Sequence, residues 1–147
     1  MRVSAIAAAL TILLLTACAS ADFRSREVDF RLPLADGATR LFFVQSIHEM
    51  NTRAVDLDAA GKVIRDVRVL TDERLGVMRS GITSDVVLAE IGPPYRKIVF
   101  ERQKQIAWDY RYRDNWGYIV EFSFMLDTNN IVTSKASRRI ELGRDDH

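Results

Sequence analysis

Every second position from Tyr118 to Leu126 is apolar (Tyr118, Val120, Phe122, Phe124, Leu126), the two-residue period of a strand with one buried face. Upstream, Gln105 to Arg113 alternates too, with Trp108, Tyr110 and Tyr112 on one side and Asp109, Arg111 and Arg113 on the other. Asp114-Asn115-Trp116-Gly117 reads as the turn between them, and Asp127-Thr128-Asn129-Asn130 leads into a more polar strand over Ile131 to Ile140. Lys135, Arg138 and Arg139 suit that last strand to a sheet edge, where charge discourages unwanted pairing. Tyr95 to Glu101 is a further strand or a connection.

The first half carries the same kind of signal. Arg40 to Ile47 is rich in β-formers, Thr52 to Leu57 alternates, and Lys62 to Leu70 sets Val63, Val67 and Val69 together, with Asp58-Ala59-Ala60-Gly61 closing a hairpin. These predict a three-strand meander, preceded by a short extended segment over Asp29 to Leu34. At an offset of 69 residues the two halves align weakly: Leu57-Asp58 and Val63 fall on Leu126-Asp127 and Val132, and Leu41 and Phe43 on Tyr110 and Tyr112. Common strand and turn chemistry explains that, or a duplicated module whose first copy lacks helices.

Between the halves the period changes. Thr71 can cap a short helix from Asp72 to Met78, whose acidic first turn suits the helix dipole, with Gly81 as its stop. Thr83 can cap a second, with Val87, Leu88 and Ile91 as its apolar stripe and Gly92-Pro93-Pro94 ending it. Neither can stand alone. The expected fold class is therefore α+β: two short helices packed on an antiparallel sheet of two meanders.

The N-terminus has the parts of an export signal: Arg2, an apolar run from Val3 to Leu15, then Thr16 and Ala17 before Cys18. The run is short of the ~20 apolar residues that span a bilayer. Leu15-Thr16-Ala17-Cys18 resembles the bacterial lipobox, in which the cysteine is acylated and becomes the mature N-terminus; Cys18 is the only cysteine in the sequence. A plain signal peptide with an incidental cysteine is the other reading. Ala19, rather than an Asp, follows the cysteine, which by analogy with lipoprotein sorting favours the outer membrane, facing the periplasm of a Gram-negative bacterium. The organisation read from this is a signal peptide over 1–17, a lipidated N-terminus and tether over 18–28, one domain over 29–142 (a strand-rich section to residue 70, then 71–142), and a flexible tail over 143–147.

Of the 21 basic residues only Arg2 lies in the leader, so the 20 acidic residues face an equal number elsewhere. Interspersed, balanced charge argues against nucleic-acid binding, which needs a basic face.

Leu75, Met78, Gly81-Ile82-Thr83, Asp85-Val86, Ile91-Gly92-Pro93, Trp108-Asp109-Tyr110, Leu126-Asp127 and Ile131-Val132, in this order and spacing behind a lipobox, resemble the BamE (SmpA/OmlA) family of small outer-membrane lipoproteins. The resemblance spans about Leu70 to Arg139; the strand-rich section before it is a departure from the minimal family pattern. It implies two helices on an antiparallel sheet and a role beside the outer-membrane β-barrel assembly machinery.

Chemistry-bearing constellations are sparse. His48 and His147 read as surface histidines, and Cys18, once acylated, is no nucleophile. Phosphate loops, zinc spacings and nucleophile elbows are missing from the sequence. Asp109, Arg111, Arg113 and Asp114 form either a functional charged cluster or the solvated face of a strand with cross-strand pairs. The aromatic row Trp108, Tyr110, Tyr112 reads as core; Trp116, in a turn, is either packed back on the sheet or exposed for a partner or the lipid interface. With the lipobox these point to a non-enzymatic outer-membrane accessory or scaffold lipoprotein without cofactor or metal, and the resemblance implies that it acts in barrel assembly or envelope integrity. The alternatives are a binding module for a small or lipidic ligand, an enzyme inhibitor, and, least supported, a hydrolase.

Overall fold

The computed structural model describes residues 28–44 and 52–140. Cys18, the leader, the tether up to residue 27, His48, His147 and the C-terminal tail lie outside the described residues.

Two antiparallel meanders of four strands each make the fold, in spatial order β1-β2-β3-β4 and β5-β6-β7-β8. The first contains β1 (Phe30–Pro33), β2 (Thr39–Phe43), β3 (Arg53–Leu57) and β4 (Val63–Arg68); the second contains β5 (Arg96–Phe100), β6 (Gln105–Arg113), β7 (Ile119–Leu126) and β8 (Val132–Ile140). Between them run α1 (Asp72–Val77) and α2 (Ser84–Ile91).

This overturns the α+β expectation of helices layered on a sheet: the protein is β-rich. The reason is geometric. Helices of six and eight residues are about 9 and 12 Å long at 1.5 Å per residue, less than the width of four strands set about 4.8 Å apart. Helices this short cannot cover two four-stranded sheets alone, so residues of both sheets share the core with them. Phe42 and Ala54 of the first sheet, Leu75 of α1, Val87 and Ile91 of α2, and Tyr110, Phe124 and Leu126 of the second accordingly join one buried cluster. The first sheet is apolar on its other face too, where Leu41, Phe43 and Val55 form a second cluster. Its three-strand forecast also becomes four, because β1 pairs along β2 from Phe30↔Phe42 to Pro33↔Thr39.

Local chemistry fixes the joints. Thr71 and Thr83 cap the two helices, their hydroxyls accepting from the amides of Arg74 and Val86. α1 ends earlier than Gly81, at a Met78 cap in extended conformation. A cation from each sheet then holds each helix by its C-terminal carbonyls. Lys135 Nζ donates to the Leu75, Gly76 and Met78 carbonyls at 3.2, 3.0 and 2.7 Å. Arg40, paired bidentately with Asp56 at 2.6 and 2.8 Å, donates to the Ala89 carbonyl at 2.8 Å. Both contacts also favour the negative end of the helix dipole.

Three hairpin turns follow one rule. In Asp58–Lys62, Asp114–Tyr118 and Asp127–Ile131 the aspartate carboxylate accepts from the amides two and four residues on. The fourth residue has positive φ, as Gly61, Gly117 and Asn130. The first and third turns are 69 residues apart, and each is preceded by a register shift at the equivalent place, Asp56/Leu57 and Met125/Leu126.

Candidate functional site

The β6–β7 turn presents Trp116 to solvent, 73% exposed, with Tyr118 half exposed beside it. Trp116 is therefore not packed back on the sheet. Its backbone is nonetheless fixed. Asp114 Oδ1 accepts from the Trp116 and Tyr118 amides, both at 2.9 Å, and the Asp114 amide donates to the Tyr118 carbonyl at 2.9 Å. From below, α1 clamps the same turn: Asp72 accepts from the Asn115 amide at 3.1 Å and from the Tyr112 hydroxyl at 2.6 Å, and Glu73 accepts from the Asn115 side chain at 3.1 Å. Burial, then the hydrogen bond to Asp72, raises the Tyr112 hydroxyl well above its ordinary pKa, so it stays a donor.

Arg139 completes the patch. Its guanidinium lies 4.5 Å from the Tyr118 ring centre and 5.4 Å from that of Trp116, while bonding Asp114 at 3.2 Å. Asp72, Asp114, Asn115, Trp116 and Arg139 line a shallow depression of about 210 Å³. Trp and Tyr at a hydrogen-bonded turn, with an Arg from the neighbouring β8, are the residue types that carry most binding energy at protein interfaces.

The charged run read from β6 is divided by the structure. Arg113 and Asp114 belong to the turn; Arg113 donates to the Gly117 carbonyl at 3.0 Å. Asp109 and Arg111 belong to a network on the outer face of the second sheet. The expectation that Asp109 is solvated is corrected: it is 2% exposed, and Glu121 on the next strand 4%. The cross-strand registers Arg96↔Asp109, Asp109↔Ser123, Arg111↔Glu121 and Glu121↔Arg138 bring the partners in from three other strands. Asp109 accepts from Arg96 at 2.6 and 2.8 Å and from Ser123 Oγ at 2.6 Å. Glu121 accepts from Arg138 at 2.6 and 3.1 Å, from Arg111 at 3.1 and 3.3 Å, and from the Tyr95 hydroxyl.

Burial pushes the Glu121 carboxyl up, but the hydrogen bonds from Tyr95, Arg138 and Arg111 outweigh it and hold it down at about 2. Burial and the bond to Glu121 push Tyr95 up to about 12. A carboxylate so fully satisfied takes no proton near neutrality, and its neighbouring phenol releases none. Asp109 and Glu121, through Arg96, Arg111 and Arg138, tie the four strands of the second sheet together. Sequence reasoning missed Glu121 because it stands among the apolar residues of β7 on the face they leave open.

A second surface feature is an apolar groove of about 370 Å³ between α1 and α2, lined chiefly by Val77, Met78, Ile82, Val86 and Ile91. Trp108, Tyr110 and Tyr112 are buried, and Tyr110 donates to the Gly92 carbonyl at 3.0 Å. Among the described residues no group of three or more His, Cys, Asp or Glu is arranged to hold a metal ion, and no helix is long and apolar enough to cross a membrane.

No family model, curated protein or solved structure matches the chain, and nothing in these comparisons identifies it as a BamE-family member.

Proposed function

We propose that the protein is a non-enzymatic accessory or scaffold lipoprotein, held by acylated Cys18 at the periplasmic face of the outer membrane. There it binds other envelope proteins, with the β-barrel assembly machinery the first to examine. The observation that carries the reading is Trp116: a solvent-exposed indole on a turn locked by Asp114 and by the acids of α1. Exposing a Trp costs hydrophobic free energy, and locking its backbone lowers the ordering cost of burying it against a partner. The lipobox supports the location, and anchoring would raise the local concentration of the domain for partners in the same layer.

The test is co-purification from detergent-solubilised membranes, comparing wild type with Trp116→Ala. Capture of envelope proteins by the wild type and its loss in the variant supports the reading; recovery of no envelope protein sinks it. Mass spectrometry of the mature N-terminus tests the anchor, which requires a diacylglyceryl modification on Cys18. The groove between α1 and α2 favours a second reading, a module for a small or lipidic ligand, because its lining is apolar and concave. Delipidated protein that takes up a fluorescent fatty acid into this groove, with loss on Val86→Asp, would favour that reading.

A further inference from the structure

Among the described residues the two sheets present four edges, and three of them are short or mixed in charge. β1 is four residues long and ends on Pro33; β5 is five residues long; β4 is six and carries acid and base together in Arg65, Asp66 and Arg68. The fourth, β8, has nine residues, and Ile131 to Ile140 contains Lys135, Arg138 and Arg139 but no acid, proline or glycine.

Its outward backbone groups can be assigned. The Val132 amide donates to the Ile82 carbonyl at 2.9 Å and the Val132 carbonyl accepts from the Gly81 amide at 2.7 Å, so the α1–α2 connection occupies the edge only at its start. Beyond the register shift, Lys135, Ser137 and Arg139 stand opposite Phe124, Phe122 and Val120. In β7 those three belong to the set whose ladder bonds go to β6, in phase with the Asp114–Tyr118 closing pair. Lys135, Ser137 and Arg139 therefore direct their N–H and C=O groups away from the sheet, and among the described residues no backbone group meets them.

Side-chain charge selects the visitor. Arg138, 72% exposed, shares Glu121 with Arg111 and Arg96, so three guanidiniums surround the two carboxylates Asp109 and Glu121 and leave an excess of positive charge. A second β8 would bring only more cations. An acidic strand would find Arg138 on one face and Arg139 on the other.

We propose that β8 is a docking edge that takes an extended acidic segment of a protein partner as a fifth strand of the second sheet. It deepens the accessory-protein reading, on which it rests, by naming the partner's chemistry and mode of recognition.

The probe is a fluorescent nine-residue peptide alternating Glu with Val or Thr, the length of β8, titrated into the full chain in detergent and read by anisotropy. Ser137→Pro removes an outward N–H and no β7 ladder bond, which edge strands tolerate. It should weaken binding about tenfold or more, the loss of a hydrogen bond together with the local strand fit. A peptide N-methylated on alternate residues gives the same readout on the unaltered protein, so a misfolded variant does not decide the matter. Binding that falls in both arms, and falls again with Lys in place of Glu, supports the proposal. Binding unchanged by N-methylation, equal affinity for the Lys peptide, no binding at all, or a dimer abolished by Ser137→Pro in sedimentation overturns it. Co-purification that survives Ser137→Pro would remove the edge and spare the accessory reading. Peptide binding without recovery of any envelope protein would do the reverse.

Discussion

Replacing Glu121 by Gln tests the outer-face network with a change of charge and almost none of volume. The folded carboxyl sits at about 2 against an ordinary 4.5, and at 1.36 kcal/mol per pKa unit the difference is about 3 kcal/mol of folding free energy at neutral pH. Part of this comes through Arg138, whose side chain is 72% exposed and so screened by solvent, which lowers the expectation to about 2 kcal/mol. For a domain of this size that is about 10 °C in Tm. Because the folded pKa is depressed, the contribution is complete above about 4.5 and is lost as pH falls through about 2. Urea unfolding of both proteins between pH 7 and pH 2 reads this directly. The wild type should lead by about 2 kcal/mol at neutrality, and the gap should close as the solution is acidified. Asp56, whose carboxyl is also held low, chiefly by its bond to Arg40, lowers both proteins alike and drops out of the difference. A gap that persists unchanged to pH 2, or one below about 0.5 kcal/mol at pH 7, would refute the reasoning.

Gly92→Ala should cost about 3 kcal/mol or more: the residue has φ +82 and ψ −170, and an added Cβ would lie 2.7 Å from a ring carbon of the fully buried Phe42. A loss under about 1 kcal/mol in urea would mean that the ring moves aside. Lys135→Met keeps the aliphatic stem but leaves three carbonyls at the end of α1 and its cap without their donor, an expected loss of about 1–2 kcal/mol by the same assay; no loss would show that water replaces the ammonium freely. Thr83→Ala removes the α2 cap and should cost about 1 kcal/mol, read as a lowered Tm. Trp116→Ala should leave stability within about 0.5 kcal/mol, since the indole is exposed; a larger fall would recast Trp116 as structural.

What could be read from the sequence is what nearest neighbours decide. Thr71 and Thr83 cap their helices as foreseen, and β6 spans the predicted Gln105–Arg113, because hydroxyl caps and two-residue alternation act within a few residues. The fold class failed because it turns on how much area two short helices can cover. The relevant hint was Leu41-Phe42-Phe43, consecutive buried residues that make β2 apolar on both faces. Asp109 was misjudged for a related reason. Alternation gave its face correctly, but burial is set by Arg96 and Ser123, which reach it only through the register of β5 and β7.

The site was legible to the same depth. Trp116 could be placed in a turn from Asp114 and Gly117, but its rigid exposure depends on Asp72 and Glu73, more than forty positions away. The three aspartate turns show where local rules stop. Asp58, Asp114 and Asp127 fold their loops alike, so loop geometry alone gives none of them a function. What distinguishes them is the surroundings: Ala59 and Ala60 offer nothing to a partner, whereas Asn115 is clamped by α1 and Trp116 is left outside with Arg139 against its ring. The same reasoning separates the two edge strands of the 69-residue alignment. β4 and β8 follow equivalent turns and register shifts, so the hairpin does not require that every charged residue of β8 be a cation. Three cations do more there than close a hairpin: Lys135 holds α1, Arg138 binds Glu121, and Arg139 flanks the exposed indole. An acidic strand laid along β8 would therefore meet the Trp116 patch at its Arg139 end, which makes the turn and the edge one continuous surface rather than two.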